Sequence, residues 1–129
     1  MPRLVKGGKW VFGWVLIQDG GLIRIPPEAW QEYGFQAGEE AIFIRGSKTS
    51  GGFSVAMPEK LNRLPGGDLG EREIGRSHFG DGTITLPQGL AISPGSRLLV
   101  GRGSGLALGF IRQGPIVEEA LQHPELEEF

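Results

Sequence analysis

The chain has no cysteine among its 129 residues, which excludes disulfides and thiolate metal sites and gives no reason to expect an oxidising compartment. A long hydrophobic run is missing too. The longest, from Trp10 to Ile17, is broken by Gly13 and falls far short of the roughly 20 apolar residues that cross a bilayer as a helix. No secretory h-region followed by a small-residue cleavage site opens the chain, so a soluble, cytoplasmic protein with no membrane partner is expected. Histidine is scarce, with two in all, and nucleophile-and-base material reduces to Ser77-His78 and His123. His78 falls on an expected strand with no evident Asp partner in sequence, and neither histidine is assigned to catalysis. The expectation is a protein that is not an enzyme and needs no cofactor.

Net charge is small, −2, but unevenly spread. Residues 1–115 hold thirteen basic against ten acidic residues, and the last fourteen hold five glutamates and no base. The segment 116–129 therefore reads as an acidic C-terminal tail, expected to be a solvated end.

Glycine and proline are abundant, at 23 and 9, and without a collagen or linker period they point to many turns and short strands. Their placement reveals a duplication. Arg45-Gly46-Ser47 followed by Gly52-Phe53 returns as Arg102-Gly103-Ser104 followed by Gly109-Phe110, at an offset of 57. Gly38 falls on Gly95 at the same offset. Upstream, Gly21-Leu22-Ile23-Arg24-Ile25-Pro26 matches Gly82-Thr83-Ile84-Thr85-Leu86-Pro87 at an offset of 61. The second copy has lost four residues between Pro87 and Gly95, about one helical turn, from a segment that reads in the first copy as a short helix opened by Pro26-Pro27 and closed by Gly34.

Each copy then reads as strand, strand, short helix, strand, strand. The first covers about 13–57 and the second about 74–112, with a linker about 58–73 containing Pro65-Gly66-Gly67-Asp68. Halves of about 50 residues are marginal alone and would expose strand edges. The expectation is one domain, 1–129, in which two halves interleave about a pseudo-twofold as a mostly β barrel with short helices.

The residues 20–44 and 81–100, with Leu90-Ala91-Ile92-Ser93-Pro94-Gly95-Ser96-Arg97-Leu98-Leu99-Val100 as the closest stretch, resemble the swapped-hairpin domain of the AbrB, MazE and SpoVT-like transcription factors. The resemblance implies two hairpins exchanged into one barrel, here fused in one chain or built like the related double-psi barrels. It also implies a DNA-binding regulator or antitoxin-like protein, with DNA, a partner toxin or a second copy as partner. The alternative is an interaction or assembly module that kept the barrel and lost the nucleic-acid face. In the family an arginine follows the turn glycine and another often sits in the short helix. Those positions hold Leu22 and Thr83, and Trp30 and Ala91, so any DNA contact passes to other bases.

Arg45 and Arg102 are the foremost candidates, because they recur at matched places where a strand enters a Gly/Ser turn, and arginine forks onto phosphates and guanine edges. Lys48 adds charge in the first copy, and Arg24 and Arg97 complete the candidate DNA-binding set. The competing reading is that Arg45 and Arg102 brace their turns or pair with carboxylates. Gly46-Ser47 and Gly103-Ser104 also match the dipeptide at which a double-psi decarboxylase family cleaves itself, but Gly-Ser is a common turn dipeptide and is read as such. The aromatics on strands, Trp14 and Phe43 among them, are read as core. Trp30 stands apart because it occupies the family's arginine position.

Overall fold

The structure, a computed structural model, describes residues 11–46, 51–61, 72–88, 90, 92–104 and 107–129, with the side chains of 60, 61, 103 and 104 left aside. It is mostly β. The strands are β1 (Val11–Leu16), β2 (Leu22–Arg24), β3 (Glu40–Arg45), β4 (Phe53–Ala56), β5 (Glu73–His78), β6 (Thr83–Thr85), β7 (Arg97–Ser104) and β8 (Ala107–Ile111), and the helices are α1 (Pro27–Tyr33), α2 (Pro58–Leu61) and α3 (Pro115–Ala120). Each helix begins with proline, whose fixed φ suits the first turn and whose missing N–H is not needed there. Gly34 closes α1 at φ 69°, a left-handed turn that only glycine adopts without strain.

Six strands form one antiparallel sheet in the order β1-β7-β8-β4-β3-β5, and β2 and β6 form a separate antiparallel ribbon. The ladders stop at β1 and β5 rather than joining into a ring. Exchanging the first four strands for the last four reverses that order and leaves it unchanged. The hydrogen bonds repeat in the same way. Ile17 N–H donates to Ser96 O and Gly95 N–H to Ile17 O, and in the other half Phe79 N–H donates to Glu39 O and Gly38 N–H to Phe79 O, all at 2.7–2.9 Å. Ile25 N–H donates to Gly82 O, and Leu86 N–H to Gly21 O.

These pairs refine the offsets. Leu16 faces Arg97 as His78 faces Glu40, and both ladders carry the same bulge near Gly13 and Gly75, so β1 and β5 correspond at 62 rather than 61. The extra residue lies in the turn, where Asp19–Gly21 is a 3-10 turn and the second copy has only Asp81-Gly82. At the other end, Ile42 pairs with Ala56 but Leu99 with Ile111. The second hairpin is thus two residues shorter, and an even slip keeps every side chain on its face. The repeated Gly-Phe dipeptides are therefore not structural counterparts. Phe53 instead faces Phe110 directly across the β4–β8 ladder, with rings stacked at 4.9 Å.

Both faces of the sheet are covered. On one, Val15, Leu98, Val100, Phe110, Phe53 and Phe43 pack with Ile23 and Ile84 of the ribbon and Ala29 and Tyr33 of α1. On the other, Val11, Trp14, Leu99 and Ile111 lie under Ala120 and Leu126, with Ile116 and Val117 against them. The acidic segment is not a solvated end, because its apolar residues close this second face. Its last residues run parallel to β1, with Trp14 N–H donating to Glu127 O and Phe129 N–H to Trp14 O, both at 2.8 Å. Gly13 has φ 140°, and a Cβ there would collide with Glu127 O and approach Phe129 Cε2 at 2.9 Å. The close approach of this strap to β1 is what requires glycine.

His123 sits between Glu125, 2.8 Å from Nδ1, and Glu119, 3.7 Å from Nε2. The hydrogen bond to Glu125, with Glu119 behind it, raises the His123 pKa above its ordinary value. Glu125 is lowered by a backbone hydrogen bond and by His123. The histidine contribution is complete below about pH 6.5 and is lost as pH rises through the folded pKa, whereas the Glu125 contribution is lost as pH falls through its own.

Two outcomes follow for thermal melts. Leu126→Ala should cost about 2 kcal/mol, the range for emptying a buried leucine site, and removal of 121–129 should cost more. His123→Gln should erase the part of the stability that declines between weakly acidic and neutral pH. Melts unchanged by Leu126→Ala and by the removal of 121–129 would show that the strap does not hold the second face, and a pH profile unchanged in His123→Gln would remove the histidine from it.

Candidate functional site

The four candidate bases among the described residues, Arg24, Arg45, Arg97 and Arg102, lie on β2, β3 and β7. Arg45 ends β3 and Arg102 lies near the end of β7, at structurally matched positions on either side of the β4–β8 centre. Their surroundings differ. Arg102 forks onto Glu32 of α1, with Nε at 2.7 Å and Nη2 at 2.5 Å from the two carboxylate oxygens. This hydrogen bonding raises its pKa further above the ordinary arginine value. Arg45 is exposed and makes no ion pair among the described residues. The cause is the four-residue deletion. Glu32 belongs to the helix that the first copy possesses, and the corresponding stretch after Pro87 has lost a turn, leaving nothing equivalent for Arg45 to meet. The carboxylate-pairing alternative thus describes Arg102, while Arg45 is exposed.

Arg97 lies over the Trp14 ring, 4.3 Å from its centroid, and within 3.5 Å of Glu128 in the strap. Its counterpart position in the other half is Glu40, which binds Arg76 of β5 at 2.8 Å, and Arg76 takes Glu73 as well. The same cross-strand position is thus filled by a cation on an aromatic in one half and by a carboxylate on a cation in the other. Hydrogen bonds to Glu73 and Glu40 push the Arg76 pKa above the ordinary arginine value. Lys48 lies outside the described residues.

Arg24, exposed on β2, lines a hollow of about 280 Å³ with Ile25, Pro27, Trp30, Gln31, Asp81 and Gly82. Trp30 is partly buried and meets Phe35 and Phe79 edge-on at 5.8 and 5.6 Å. A second hollow of about 400 Å³ lies between α1 and the start of α2, lined by Glu32, Glu39 and Glu59 with Tyr33 and Met57. Sequence reasoning passed over both, since each joins residues far apart in the chain.

The described residues carry eight Lys and Arg against thirteen Asp and Glu. Arg76, Arg97 and Arg102 each have a carboxylate partner, and no two candidate bases share an acidic partner among the described residues. Ser77 Oγ donates to Thr85 O at 2.7 Å rather than to His78. No group of three or more His, Cys, Asp or Glu among the described residues is placed to hold a metal ion, and no helix there is long and apolar enough to cross a membrane. No family model matches the chain, and neither a curated protein nor a solved structure matches it.

The two matched arginines should separate in a melting experiment. Arg102→Ala removes a two-pronged contact between β7 and α1 and should lower the melting temperature by roughly 1–3 °C, the scale of a well-oriented surface pair. Arg45→Ala should leave it unchanged. Equal effects would mean that the two positions have equivalent surroundings.

Proposed function

We propose that the protein is a single-chain version of the swapped-hairpin barrel whose task is to hold another protein rather than DNA. The reciprocal pairing of β1 with β7 and of β5 with β3 supports the barrel reading, because each half completes its sheet only with strands from the other. The observation that carries the function is the engagement of Arg76, Arg97 and Arg102, three of the seven described arginines. A nucleic-acid face needs cations free to displace phosphate counterions, and Arg76, Arg97 and Arg102 already lie against Glu40, Glu128 and Glu32. The excess of carboxylates on the described body repels a polyanion. A protein surface of mixed charge suits such a body better.

One observation favours DNA as the second reading. The sequence carries Arg3, Lys6 and Lys9 close together and Lys48 three residues after Arg45, and Arg45 is exposed. These bases supply sequence-independent affinity, which falls steeply with salt. Duplex affinity measured across a salt series separates the two. Under the protein-binding reading, the chain binds mixed-sequence DNA no tighter than about 10⁻⁶ M at physiological salt, and Arg45→Ala leaves the salt slope unchanged. A preferred sequence bound at about 10⁻⁸ M or tighter, with a slope that falls by about one unit in Arg45→Ala, would overturn it in favour of a regulator.

A further inference from the structure

We infer that the hollow between β2, α1 and the turn before β6 is a binding site for a free α-amino acid with an apolar or aromatic side chain. The inference is independent of whether the macromolecular partner is protein or DNA. Two opposite charges line the hollow, Arg24 from β2 and Asp81 from the turn. No ion pair joins them, and neither makes one with any other described residue, although Arg76, Arg97 and Arg102 all found carboxylates. Opposite charges held on one cavity but apart leave a gap that a molecule carrying both signs closes. A carboxylate is the natural acceptor for the guanidinium fork of Arg24, and an ammonium is the natural donor to Asp81.

The floor is apolar. Ile25, Pro27 and the partly buried Trp30 line it, and Trp30 is wedged edge-on against Phe35 and Phe79. An aromatic wall already fixed by packing binds a side chain without a large ordering cost. The frame is fixed too, since Ile25 N–H donates to Gly82 O at 2.9 Å and ties β2 to the turn carrying Asp81. At about 280 Å³ the hollow lies near the lower limit for small-molecule pockets, which suits one amino acid and not a long peptide.

The fold does not require these residues. Arg24 corresponds to Thr85, the turn of the other half keeps an aspartate at Asp19, and the helix turn bearing Trp30 falls in the segment shortened in the second copy. The other half builds the same ribbon without the arginine or the tryptophan. One site per chain is therefore expected.

The test is an NMR titration of the full chain with L-phenylalanine, read at the Trp30 indole N–H and the Gly82 amide. Phenylacetate and phenethylamine, which each carry one of the two charges, serve as separate arms. Saturable shifts at both signals with a dissociation constant of about 1 mM or tighter are expected. Each single-charge analogue, and each of Arg24→Gln and Asp81→Asn, should bind about tenfold more weakly, the loss of one charge-assisted hydrogen bond. Thermal melts of both variants should match the parent, as both side chains are exposed. No saturation below about 10 mM, analogues as tight as the amino acid, or variants with unchanged affinity would each overturn the assignment.

Discussion

The structure depends on one constraint, that a strand edge must be satisfied by another backbone. Neither repeat can do this for itself. The first strand of each copy lies against the third strand of the other, and the segment joining strand to helix makes its hydrogen bonds to the opposite copy as well. The central ladder is also shared, with Phe53 of one copy stacked on Phe110 of the other. Separating the halves would break four of the six ladders and divide the largest apolar cluster, so the duplication acts as a single cooperative unit.

Much of this was legible in the sequence because glycine and proline mark turns through backbone geometry rather than through contacts. Gly21 and Gly82, Gly38 and Gly95, Pro26 and Pro87 all mark matched corners. What escaped was register. The offset of β1 against β5 differs by one from that of the turns beside them, hidden because the extra residue lies within a glycine turn, and the last hairpin slips by two, which a pattern of period two tolerates without visible change. The strap escaped for another reason. Its five carboxylates dominate its composition, while the residues that dock it, Ile116, Val117, Ala120 and Leu126, are a few apolar side chains spread among them.

The candidate arginines show the same limit at the level of chemistry. Arg45 and Arg102 open the same Arg-Gly-Ser tripeptide, and the backbone places them at matched positions. Their roles diverge through a deletion about a dozen residues upstream in one copy, which removes the helical turn that would have carried a carboxylate. A residue's availability is thus set by what packs opposite it, and a local motif carries no record of that. The hollow at Trp30 has the same origin, since the helix that survives in the first copy supplies its wall.

The strap also sets a timetable for folding. β1 is synthesised before both of its neighbours, β7 and residues 127–129. Until those residues exist, Val11 and Trp14 have nothing to lie beneath and one edge of the sheet cannot be finished. Such distant pairings are slow to form, and the unfinished strand is exposed to other chains meanwhile. During translation, the nascent protein therefore passes through a stage in which β1 can be captured by a chaperone or by another unfinished copy.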